Sequence, residues 1–205
     1  MQRGQVGAPV VLADTQDNPG AGGNGDTTGL LAAMLARDPR DAVLGLLIDG
    51  ASARQAHAVG QGRTAQFLLG EISGVPGHVP LAGEFTVETL GDGRFTCTGP
   101  MFRGFRMDLG PMAVLRRGNV RVVLASKKCQ AADQEMFRHV GIEPRELRVL
   151  ALKSSVHFRA DFQPIAKEVL VVVAPGPAKA DPAAFPWTRL RPGLRLSPRG
   201  RAFQG

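Results

Sequence analysis

Two short stretches of this 205-residue chain carry residue types that could do chemistry. The first is Asp17 to Asp26, "DNPGAGGNGD", with a literal G-x-G-x-x-G at Gly20, Gly22 and Gly25. A dinucleotide fingerprint needs its first glycine at the tight turn directly after a strand, so that the next helix N-terminus meets the pyrophosphate. Here Asp14 to Pro19 intervene, and Asp17 and Asp26 bring negative charge towards any phosphate. No Lys-Ser/Thr follows the last glycine, so a P-loop fits no better. The loop is still unusual. Pro19 fixes one φ and biases Asn18 towards extended backbone. Its glycines permit close approach, and free N–H groups near a helix start could hold a carboxylate or a polar peptide group. The plain alternative is a surface loop with no ligand.

The second stretch is "LKSSVHFRADF". Lys153, Ser154 and Ser155 fall where a strand ends and a helix begins; His157 and Arg159 lie in that helix's first turn. An ammonium, two hydroxyls, an imidazole and a guanidinium in one place suit a carboxylate or carbonyl oxygen. The competing reading makes Ser154 or Ser155 an N-cap, ties His157 to backbone and pairs Arg159 on the surface. A Ser-Lys nucleophile from Lys153 and Ser154 is disfavoured, because adjacent strand residues point to opposite faces. The four histidines, His57, His78, His139 and His157, form no H-x-x-x-H and pair with no carboxylate at metal-ligand spacing. No metal site is expected within this chain.

The elements that must position these stretches follow from the apolar pattern. Val10 to Ala13, "DAVLGLLID", "TAQFLLGE", "LRVLALKS" and "EVLVVVAP" read as strands. Helices are predicted after Asp26-Thr27-Thr28 up to Arg37, over "SARQAHAVG" with Ser52 as its cap, over "DQEMFRHVG", and over "SVHFRADFQPIA", which Pro164 disturbs near its end. Between residues 84 and 126 alternation predicts four or five antiparallel strands, with hairpin-type turns at Gly91-Asp92-Gly93 and Arg117-Gly118-Asn119. The expected fold is α/β: a mixed sheet of βα units flanking a central antiparallel meander. Residues 1–176 form one domain in this reading, and 177–205 a Pro- and Arg-rich extended tail. Sites in such folds lie beyond the carboxyl ends of the strands, where both stretches fall.

Composition narrows the function classes. The charge is +7, from 25 basic and 18 acidic residues. Arg189, Arg191, Arg195, Arg199 and Arg201 crowd the tail, the remaining excess is thinly spread and tyrosine is absent, so nucleic-acid binding is poorly supplied. Cys97 and Cys129 form no C-x-x-C and read as reduced thiols. No apolar run reaches a membrane span, and "MQRGQVGAPVVL" has no hydrophobic signal region, so the expected location is cytoplasmic. The first strand begins almost at once, which suits a domain of a longer chain as well as a small intact protein.

Three long segments, in order, resemble the C-terminal domain of the microcystinase C-type zinc metallopeptidases. They are "VVLADTQDNPGAGGNGDTTGLLAAML", "GPMFRGFRMDLGPMAVLRRGNVRVVLASKKCQAADQEMFRHVGIEP" and "VLALKSSVHFRADFQPIAKEVLVVVAPG"; the likeness runs on into "DPAAFPWTRLRPGLRLSP". The D-N-P-G loop and the K-S-x-x-H-F-R run are its most specific parts. The resemblance implies a hydrolase of linear peptides or related amides. It implies zinc in the parent enzyme, with ligands in an N-terminal metal-binding domain of the same polypeptide. Asp17, Asn18, Gly20, Gly22 and Gly23 match the loop motif; Lys153, Ser154, His157, Phe158 and Arg159 match the second. These residues are expected to line the substrate cleft, with no complete catalytic set in this chain, which alone is expected to be inactive. A stand-alone module that binds a small anion without hydrolysis is the alternative.

Overall fold

The computed structural model describes residues 7–204. The readings that touch residues 1–6, the start of the domain and most of the expected signal-free segment, lie outside the described residues.

β1 (Val10–Asp14), β2 (Ala42–Ile48), β8 (Val120–Ala125), β9 (Val149–Leu152) and β10 (Glu168–Val172) run parallel. All but β10, which is the edge strand with Leu170 and Val171 exposed, are buried on both faces and read as continuous hydrophobic runs rather than alternating ones. The antiparallel strands β3 (Thr64–Leu69), β4 (Leu81–Gly91) and β7 (Met112–Arg117) extend the sheet from β8. The spatial order is β10-β1-β9-β2-β8-β7-β4-β3. The mixed α/β sheet expected from the sequence is therefore the observed architecture.

The meander differs from its sequence reading in one respect. β5 (Arg94–Thr96) and β6 (Arg106–Asp108) pair only with each other, as a separate two-stranded ribbon. Gly91-Asp92-Gly93 therefore does not close a hairpin: β4 pairs with β7, and the turn launches the ribbon. Gly93, at φ +76°, lies so close to Gly110 that a Cβ would fall 2.0 Å from its carbonyl oxygen. The turn at Gly118-Asn119 does join paired strands.

Two apolar layers sandwich the sheet. Helices α1 (Gly29–Arg37) and α2 (Gly50–Val59) bury Leu30, Leu31, Met34, Ala53 and Ala56 against Leu44, Leu47 and Phe67. On the other face α3 (Glu135–Arg138) and α4 (Arg159–Phe162) bury Met136, Phe137 and Phe162 against Val43, Leu46 and Val123. Gly45 has no side chain because the Phe137 ring lies there; a Cβ would meet its Cε1 at 2.6 Å.

The helices start and stop differently from their predicted bounds. Asp49, not Ser52, caps α2: its carboxylate accepts from the Ser52 N–H at 2.9 Å. Thr28 stands at the start of α1, but its hydroxyl donates to the Val79 carbonyl, at 2.7 Å, instead of capping. The helix expected over 155–166 begins only at Arg159, as α4, and gives way to a short 3-10 turn at Gln163–Ile165, where Pro164, expected to disturb its end, cannot continue the α-helical ladder. The segment after β10 crosses Gln16, whose side chain donates to Ala174 O at 2.6 Å and accepts from Ala180 N at 2.9 Å. Among the described residues no helix is long and apolar enough to cross a membrane.

Candidate functional site

β1 and β9 are neighbours, in register Ala13 to Leu152, so Asp14 and Lys153 emerge side by side at their carboxyl ends. Lys153 has no exposed surface. Its ammonium lies 3.0 Å from Asp14 Oδ2 and 2.9 Å from Asp17 Oδ2, and it also donates to Thr27 Oγ1, at 2.9 Å, and to the Thr27 carbonyl. An ammonium has three protons. These contacts fill it with protein groups.

The same contacts fold the glycine-rich loop. Asp17 Oδ1 accepts from Gly25 N at 2.8 Å, while Oδ2 accepts from the Thr27 backbone N–H and hydroxyl, each at 2.8 Å. Asp17 thus joins both ends of the loop and fastens them to β9 through Lys153. Burial alone would raise its pKa; the Lys153 ammonium and the Thr27 and Gly25 N–H groups outweigh that and hold it below the ordinary carboxylate value. Asp14 goes the other way. Burial raises it, and the pull of Lys153 does not fully compensate, with the Asp17 charge adding to the rise. The 3.0 Å approach of Lys153 to Asp14 is a charge contact rather than an aligned hydrogen bond, so neither Asp14 oxygen has a hydrogen-bond partner among the described residues. The buried Ser154 hydroxyl likewise has none.

A second tie joins the two sequence motifs. Asn18, nearly buried, donates from Nδ2 to Ser155 Oγ at 2.7 Å and accepts from Gly20 N at 2.9 Å. Pro19 to Ala21 then make one 3-10 turn that Gly22 ends at φ +91°. Gly23 is buried and donates its N–H to the Asn18 carbonyl at 2.9 Å. Gly20 and Gly22 are exposed at the tip.

The predicted site residues therefore divide. Asp17, Asn18, Gly23, Lys153 and Ser154 are buried and form the frame. Gly20, Gly22 and His157 are exposed. Arg159 is half-exposed, stacked over the Phe158 ring at 5.3 Å and donating to Gln163 Oε1 at 3.1 Å. His157 precedes α4 and bonds through Nδ1 to Gln130 Oε1 at 3.1 Å, rather than to backbone. The other three histidines serve the fold: His57 meets the Met112 carbonyl, His78 the Gly70 carbonyl, and His139 accepts from Gly93 N.

Sequence reasoning missed Asp14, Thr27 and Gln130. Asp14 had a signal: an acid closing a fully apolar strand is a partner waiting for a buried cation. Gln130 had none, since it lies in the segment after β8 and reaches the site only through the fold. Among the described residues no group of three or more His, Cys, Asp or Glu is placed to hold a metal ion. The side chains of the described residues do not fit a metal centre. A hollow of about 280 Å³, lined by Asp41, Glu88, Arg116 and Arg121, lies at the opposite, amino ends of β2 and β8.

With this geometry in view, comparison with known proteins is decisive for the family. The family described as MlrC C-terminus matches residues 12–189. The chain belongs to that family. It is 30% identical over 172 residues to Microcystinase C of a Sphingomonas species, covering 81% of this chain and 32% of that protein. It also superposes with a TM-score of 0.78 on the crystal structure of a protein from Mesorhizobium sp. BNC1 described as a metallopeptidase. There the identity is 26%, over 90% of this chain and 37% of that one. The chain spans about a third of the length of both relatives. It is a peptidase-related domain, and both motif loops fall inside the matched span.

Proposed function

We propose that this MlrC C-terminal domain supplies one wall of the substrate cleft in a zinc metallopeptidase that hydrolyses linear peptides or related amides. The observation that carries the reading is the tie between the two motif loops. Asp17–Lys153 and Asn18–Ser155 bring them together at the carboxyl ends of β1 and β9, where open α/β sheets hold their ligands. In this reading the buried residues position and the exposed ones touch. Asp17, Asn18, Gly23, Lys153 and Ser154 set the loop shape. Backbone of Gly20 and Gly22, with His157 and Arg159, meets the substrate.

The zinc and its ligands belong to a preceding N-terminal domain of the same polypeptide in this proposal, since the side chains described here do not fit a metal. No step of the reaction is assigned to this chain beyond binding and orientation. Location in the cytoplasm and an extended Pro- and Arg-rich tail over 177–205, packed on the domain or trailing from it, complete the proposal; its first residues, bonded to Gln16, favour packing at that end. The sequestered Lys153 ammonium weighs against the alternative of a stand-alone anion-binding module, which would need that charge at its surface. The test is metal analysis of the purified chain together with a linear-peptide cleavage assay. The expected result is no stoichiometric zinc and no turnover by the chain alone, with cleavage when the N-terminal domain is present. Tight stoichiometric zinc or real turnover by this chain would overturn the reading.

A further inference from the structure

Gln130 stands in the segment between β8 and α3 and is 8% exposed. It reaches over the glycine-rich loop at Gly20: a Cβ there would fall 2.4 Å from Gln130 Oε1. The amide sits between two unlike groups. Its Oε1 is 3.1 Å from His157 Nδ1, and its Nε2 is 3.8 Å from the Met101 sulfur. The orientation of that amide has a physical reason. A thioether sulfur is a weak acceptor and cannot donate, so an amide N–H facing it makes a bond, whereas an amide oxygen there would meet only lone pairs. With oxygen towards the histidine, Nδ1 must carry the ring proton. The hydrogen bond made by one imidazole nitrogen sets the state of the other. Nε2 of the neutral ring then holds a lone pair, and among the described residues it has no protein partner.

We propose that Gln130 is a positioning residue that holds His157 in the Nδ1–H form, making Nε2 an acceptor for a substrate N–H. The proposal rests on the reading that His157 faces the substrate, and it sharpens that reading. A neutral His157 held this way cannot donate to an oxyanion or a carboxylate from Nε2. It accepts instead from a peptide amide N–H or an amine group of the substrate. Gly20 belongs to the same device, because any side chain there would displace the Gln130 carboxamide.

The experiment reads the tautomer on the full 205-residue chain, at alkaline pH where imidazole is neutral. Nitrogen-15 long-range correlation spectra distinguish a protonated from an unprotonated ring nitrogen. The expected result is protonated Nδ1 and lone-pair Nε2 for His157 in the unmodified chain. Gln130→Leu should lose this single-tautomer pattern, while Gln130→Glu, which keeps an oxygen at the same place, should retain it. A merely structural role would not give that pattern of loss and rescue. Protonation at Nε2 in the unmodified chain overturns the proposal, even if the leucine variant fails to fold. An unchanged tautomer in a folded Gln130→Leu chain overturns it as well. No peptide is needed, so this result stands or falls separately from the zinc and cleavage assays that test the cleft reading.

Discussion

Replacing Lys153 with methionine keeps an unbranched side chain of similar bulk but removes the charge that Asp14 and Asp17 share. Both carboxylates are fully buried, 3.0 and 2.9 Å from the ammonium. Removing one partner of a buried ion pair typically costs about 3–5 kcal/mol, because the remaining charge is left uncompensated. Here two charges remain, so the upper part of that range is expected, against a total stability of roughly 5–15 kcal/mol for a domain. The pH dependence gives a sharper test than the size. In the unmodified chain Asp17 is held below its ordinary value of 3.8, so its contribution is fully present above that value and is lost as pH falls through the lower folded-state value. Asp14 is raised above 3.8, so it works in the opposite sense, costing stability as pH climbs from 3.8 to its folded-state value. Without Lys153 both acids lose their main lowering influence and shift upward. The native state then holds more protons than the unfolded state above pH 4. The stability deficit of the variant should therefore shrink on acidification from pH 7 to pH 5, by up to about 1.4 kcal/mol per pH unit for each proton taken up. Urea unfolding followed by circular dichroism at pH 7, 6 and 5 measures this. A variant within about 1 kcal/mol of the parent at pH 7, or a deficit that stays constant with pH, would refute the reasoning.

Four further outcomes follow from the same structure. Asp14→Asn should be neutral or stabilising at pH 7 by urea unfolding, since it removes the buried charge that lacks an aligned hydrogen bond and leaves Lys153 paired with Asp17. Asp49→Ala should cost about 1–2 kcal/mol in the same assay, because the carboxylate caps α2 and also accepts from Gly70 N at 3.1 Å. Gly93→Ala should lower stability by about 2–4 kcal/mol, combining a positive φ with a Cβ 2.0 Å from backbone oxygen; thermal melting checks it. Burial pushes the Cys97 thiol up to about 12 and Cys129 to about 11, with Asp133 adding to both. Iodoacetamide at pH 8 should therefore label neither in the native chain and both after denaturation, as read by mass spectrometry.

The sequence by itself determined the α/β class, because continuous apolar runs such as "DAVLGLLID" have to lie between two layers of helices. It also singled out the two loops, because glycine, proline and clustered polar groups at strand ends are local signals. It determined the family as well, since the family match runs over residues 12–189 and takes in both loops. Tertiary structure decided what those letters do. Lys153 reads as an open cation in the chain, yet parallel pairing of β1 with β9 sets it beside Asp14 and makes it an internal fastening. The bond from Asn18 to Ser155 and the reach of Gln130 to His157 span 137 and 27 residues, and no local pattern encodes such contacts. Register between distant strands decides which polar groups are buried together, and burial decides whether a charge binds a ligand or holds a loop.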